Sequence, residues 1–130
     1  MSKQPISTSS APKAIGTYSQ AIRAGDLVFL SGQIALHPVT GEMVQSSIEA
    51  EITQVFENLK AVAEASQLTL DHAVKVMVYL TDLSNFSAVN QIMTQFFKEP
   101  YAARAAVGVA SLPRGARVEV DAVLFGRSLG

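Results

Sequence analysis

The chain has 130 residues, enough for one domain with a substantial hydrophobic core. Its formal net charge is −1, and 16% of its residues are charged, against roughly 25% in an ordinary soluble protein. The absence of cysteine excludes disulfides and a thiol nucleophile, and the scattered Lys and Arg residues offer no basic face for nucleic acid.

No run approaches the ~20 apolar residues of a membrane span. The start Met1-Ser2-Lys3-Gln4-Pro5 lacks the apolar core of a signal peptide, so no membrane association and a cytoplasmic location are expected. A surface so poor in charge is expected to be partly hidden against copies of the same chain, as a homo-oligomer.

Residues 1–12, rich in Ser, Thr and Pro, read as a loose leader to a single domain spanning 1–130. Residues 18–23 form a short strand, closed by a turn at Gly25-Asp26. Residues 27–36 form a strong strand, in which Gly32 marks a bulge or a close approach to the backbone. After a turn over residues 37–42, Ile48, Ile52, Val55, Phe56, Leu59, Val62 and Ala63 recur at helical spacing. They predict a helix over about 47–67, capped by Ser46 or Ser47 and with Glu49 and Glu51 near its positive end.

Residues 73–80 are apolar on both faces apart from Lys75, the pattern of a covered central strand. Ser84 is placed to cap a second helix carrying Phe86, Val89, Ile92, Met93, Phe96 and Phe97, which Pro100 closes. Two last strands flank the turn Leu112-Pro113-Arg114-Gly115. The order ββ-α-β-α-ββ implies an α+β fold, a mixed β-sheet with two helices on one face.

The last two strands carry the candidate chemistry. With period two, Arg104 shares a face with Ala106, Gly108 and Ala110, so a long guanidinium stands over a floor of small residues. That space suits a small carboxylate ligand, although an arginine paired to a structural carboxylate gives the same pattern. Glu119 and Asp121 lie opposite Val118, Val120, Ala122 and Leu124, which also describes a half-solvated strand. If the two strands pair with each other, Arg104 and Glu119 share one face of the sheet, about 13 Å apart.

Tyr18 reads equally as a packing anchor or as a ligand contact. His37 and His72 are too few and too badly spaced for zinc. The glycines form neither a phosphate-binding loop nor a dinucleotide fingerprint. Ser31 lacks the surroundings of a nucleophile elbow.

Four segments together resemble the RidA (YjgF) family of reactive-imine deaminases: Ala14-Ile15-Gly16-Thr17-Tyr18-Ser19-Gln20-Ala21, Leu30-Ser31-Gly32-Gln33-Ile34, residues 74–82, and the stretch from Ala103-Arg104 to Val120-Asp121-Ala122-Val123. The resemblance covers almost the whole chain. It implies a chorismate-mutase-like homotrimer with ligand clefts between subunits, and hydrolysis of 2-iminopropanoate and 2-iminobutanoate to 2-oxo acids and ammonia without metal or cofactor.

By that resemblance Arg104 holds the substrate carboxylate and Glu119 positions or activates water. Tyr18 reaches the site from a neighbouring subunit. Ser31, Gly32 and the Ala106 backbone line the pocket. The chain departs from the family at three places: Ala106 replaces a frequent cysteine, Ala102 a common proline in a short 98–103 loop, and Thr17 a frequent proline. Alternatives to the deaminase are a non-catalytic 2-oxo-acid sensor and the ribonuclease or translation-inhibitor activity attributed to relatives.

Overall fold

A computed structural model describes residues 2–127. The strands are β1 (Gln4–Ile6), β2 (Ala21–Ala24), β3 (Leu27–Gln33), β4 (Ala73–Leu80), β5 (Ala103–Gly108) and β6 (Val118–Phe125). Two helices, α1 (Ile48–Ala65) and α2 (Phe86–Met93), interrupt them. The strands make one sheet in the order β1-β2-β3-β6-β4-β5, in which only the β4–β5 pair is parallel. This is the expected mixed sheet with two helices.

Alternation decides which face is buried. Val28, Leu30, Val76, Val78, Leu80, Val118, Val120, Ala122 and Leu124 point to one side and meet Ile52, Val55, Phe56 and Leu59 of α1. Ser47 caps α1 by accepting from the Ala50 N–H, as its position predicts. The other face carries Leu27, Phe29, Val107 and Phe125, each more than a third exposed, beside half-buried Ile22, Met77 and Val123. Within one chain β4 is therefore covered on one side only.

The structure corrects three expectations. Residues 1–12 are not loose throughout. Gln4–Ile6 pairs with β2, and buried Gln20 donates to the carbonyls of Thr8 and Pro12 and accepts from the Thr8 N–H. Ser84 is not the cap of α2: Asp82 accepts from the Ser84 N–H to open a 3₁₀ turn, Leu83–Asn85, that runs into the helix.

The third correction concerns the last two strands, which do not pair. The β4–α2–β5 crossover lays β5 parallel to β4 on the outside of the sheet. Residues 109–117 then carry the chain past β4, so β6 enters between β3 and β4.

Two buried charged groups fasten this frame. Glu51 of α1 accepts from the Arg117 Nε at 2.7 Å and the Arg117 backbone N–H at 2.8 Å. Arg23 donates to the carbonyls of Gly25, Ser66 and Gly126, tying the β2–β3 turn to the ends of α1 and β6. No helix among the described residues is long and apolar enough to cross a membrane.

Candidate active site

Arg104 pairs across the sheet with Val76, whose side chain lies in the core, so Arg104 projects on the helix-covered side. There α2 holds it. Arg104 Nη1 donates to Asn90 Oδ1 at 2.8 Å, Met93 Sδ lies 3.6 Å from the same nitrogen, and Cζ stands 4.8 Å over the Phe86 ring. Phe86, Asn90 and Met93 follow one another at i, i+4 and i+7, which places them in one stripe of the helix.

Among the described residues, Nε and Nη2 of Arg104 donate to no protein atom. Those two nitrogens form the guanidinium edge that grips a carboxylate through parallel hydrogen bonds. Arg104 and Asn90 stand in the wall of a cavity of about 390 Å³. Ala106 pairs with Val78 on the same face, two residues along β5 from Arg104.

Glu119 occupies the other face. It pairs across the sheet with Tyr79, and its carboxylate rests against Gly32 so closely that a Cβ built there would collide with it. The β3–β6 register shifts between Leu30 and Gln33, the bulge and close approach that a mid-strand glycine predicts. Asp121 points the same way as Glu119 and accepts from the Tyr79 hydroxyl at 3.0 Å.

Burial pushes the Glu119 carboxyl above the usual carboxylate range, and the Asp121 charge adds to the shift. Tyr79 is also raised, by burial first and then by its hydrogen bond to Asp121. Tyr18 is 53% exposed in the loop before β2, where it borders a hollow with Ser31 and Phe29. Ser31 Oγ donates to the Ser19 carbonyl at 2.5 Å, leaving its oxygen lone pairs for a ligand.

The expected site residues thus form two groups. Tyr18, Ser31, Gly32 and Glu119 gather at the side bare of helices, whereas Arg104 and Ala106 lie on the helix side. Counting across two strands and three residues along them, Arg104 and Glu119 stand roughly 14 Å apart, on opposite faces of the sheet. The spacing is close to that expected, but the shared face is overturned. Once β4 separates their strands, parity in each strand no longer aligns them.

Sequence reasoning missed Asn90, Phe86 and Tyr79. A polar Asn90 between Phe86 and Met93 in one stripe of the helix was the available signal. Among the described residues, no group of three or more His, Asp or Glu side chains is placed to hold a metal ion.

The sequence pattern of the endoribonuclease L-PSP family matches residues 8–125. The chain belongs to that family, also called RidA or YjgF. A protein named 2-iminobutanoate/2-iminopropanoate deaminase from Dermatophagoides farinae is 46% identical over 94% of this chain and 95% of its own. The RutC family protein y4sK of Sinorhizobium fredii is 47% identical over 93% and 96%. The crystal structure of RidA from the Antarctic bacterium Psychrobacter sp. PAMC 21119 superposes with a TM-score of 0.90 at 47% identity, covering 94% of this chain and 98% of that one. The RidA fold is therefore that of this chain.

Proposed function

We propose that this RidA-family chain hydrolyses reactive 2-imino acids, 2-iminopropanoate and 2-iminobutanoate among them, to 2-oxo acids and ammonia. One observation carries the reading: a half-buried carboxylate of raised proton affinity held against a residue without a side chain, in a chain whose Arg104 keeps a two-pronged edge unspent. The deaminase name of a 46%-identical relative supports it.

In this mechanism the Nε/Nη2 edge of Arg104 holds the substrate carboxylate, and the Ala106 backbone fixes it along β5. Glu119 takes a proton from a water as its oxygen attacks the imine carbon, and the imine nitrogen gains a proton, giving a carbinolamine. The C–N bond then breaks and ammonia leaves, with the hydroxyl proton passing through Glu119 as the 2-oxo group forms. The balance is imine plus water to ketone plus ammonia, and no redox step occurs. Gly32, lacking a side chain, lets the Glu119 carboxylate lie against the β3 backbone, and Ser31 and Tyr18 border that side.

The two groups lie on opposite faces of one chain, so the reading needs the bare face of one copy to meet the β5 edge of another. A homotrimer supplies this arrangement, and the exposed apolar residues of that face support its being covered. Ammonia release from imines generated in situ tests the activity. Acceleration above the spontaneous rate is expected, and none would overturn it.

A second reading is a 2-oxo-acid sensor without turnover. It is favoured by the fact that Arg104, Asn90 and their cavity belong to one chain, away from Glu119. Retained carboxylate binding with no hydrolysis would select it.

A further inference from the structure

The cavity beside Arg104, about 390 Å³, is larger than a one- or two-carbon side chain requires. Arg104, Asn90 and Thr94 make the polar part of its wall, and Val76, Met93, Phe97, Tyr101 and Ala102 the apolar part. At about 390 Å³ it falls within the roughly 300–1,000 Å³ of sites for drug-sized ligands, which pair apolar walls with a few polar anchors. A pyruvate-sized acid on Arg104 would leave most of that volume to water lying against apolar side chains.

We propose that this cavity seats the substrate's side chain, and that the chain favours 2-imino and 2-oxo acids with branched or aromatic side chains over the alanine-derived compound. The inference rests on the reading of Arg104 as the holder of the carboxylate. With the carboxylate on the free Nε/Nη2 edge, the substituent on the 2-carbon has the cavity beside it. Phe97 belongs to the core, and its ring meets Phe56 edge-on at 5.9 Å, which makes the floor rigid. Met93 supplies an adaptable thioether wall. Tyr101, 61% exposed, stands at the mouth with Ala102 beside it. Of the seven residues between α2 and Tyr101, Thr94 and Phe97 line the cavity.

Product 2-oxo acids read the cavity without turnover, so calorimetric titration of pyruvate and 4-methyl-2-oxopentanoate is the direct test. The branched acid is expected to bind at least about tenfold more tightly to the unaltered protein, the scale on which apolar pockets discriminate added methylenes. Ala102→Phe, which fills the cavity, should erase that preference while leaving pyruvate affinity within about twofold. Tyr101→Ala removes one exposed wall, leaves the core intact and should reduce the preference in part.

Equal affinities for the two acids in the unaltered protein would overturn the inference. So would an Ala102→Phe variant that loses both acids alike while its circular dichroism is unchanged. Leucine- and alanine-derived imines, generated by an L-amino-acid oxidase, separate this from the deaminase reading. A branched-acid binding preference without accelerated hydrolysis of either imine leaves the inference standing and removes the deaminase. Hydrolysis of the alanine-derived imine with no binding preference does the reverse.

Discussion

Arg104 spends Nη1 on Asn90 and rests its plane over Phe86, so its remaining edge is oriented before any ligand arrives. Lysine at this position keeps the charge but loses both the fork and the stacking. Arg104→Lys is expected to lower kcat/KM for imine hydrolysis by roughly ten- to a hundredfold, the cost of a charge-assisted hydrogen bond. Near-normal turnover in a folded variant would remove Arg104 from the carboxylate. Glu119 and Asp121 are neighbours of like charge on one strand face, yet only Glu119 rests on Gly32. Glu119→Gln should cost about 10²–10⁴-fold in turnover with 2-oxo-acid binding nearly kept, and Asp121→Asn should have a mild effect near neutral pH. The pH profile separates the two further. A base works only when deprotonated, and burial and then Asp121 raise the Glu119 carboxyl. The rate should therefore fall on the acid side above the usual carboxylate range, and Asp121→Asn, by removing the like charge, should move that fall to lower pH. An unmoved acid limb would mean that Glu119 is not the titrating group.

At the scale of elements, α1 is anchored through Glu51, whose carboxylate is shut away from water against Arg117 and the backbone N–H that leads into β6. Glu51→Ala strands that N–H, at a cost of about 1–3 kcal/mol. Arg117 itself is 40% exposed, so its charge regains water and adds little to the loss. Ser47→Ala, which removes only the cap, should cost about 1 kcal/mol. Urea unfolding at fixed protein concentration should show the larger midpoint shift for Glu51→Ala, and equal shifts would deny Glu51 its anchoring role. Glu51 was legible in the sequence only as a first-turn acid, because its partner is 66 positions away and nothing local announces it. Strand content was legible because side-chain alternation is local: residues 73–80 and the caps-and-stripe of α1 follow directly from it. Pairing was not: adjacency in sequence left a β5–β6 hairpin open, and nothing local decides for or against it. The parallel crossover through α2 then placed β4 between them. Only such a hairpin would have put Arg104 and Glu119 on one face. Their individual parities were right, and Gly32 was correctly read as a close approach before its partner was known.

For the molecule as a whole, opposite placement of Arg104 and Glu119 makes a sharp genetic-style test. Arg104→Ala and Glu119→Gln chains should each be inactive alone. Mixed in equal amounts and assembled together, they should recover about a quarter of normal activity, because one in four random junctions joins an intact Arg104 to an intact Glu119. No recovery in verified hybrids would confine the site to one chain. The bare side of the sheet has a further consequence. Leu27, Phe29 and Phe125 are more apolar surface than a solitary copy easily keeps in water. If covering them supplies much of the stability, folding and association become a single equilibrium, and the melting temperature rises with the amount of protein. A mildly destabilising substitution anywhere in the sheet would then be silent in a concentrated sample and inactivating in a dilute one. The abundance of the chain in its surroundings, as much as its sequence, would decide which substitutions it tolerates.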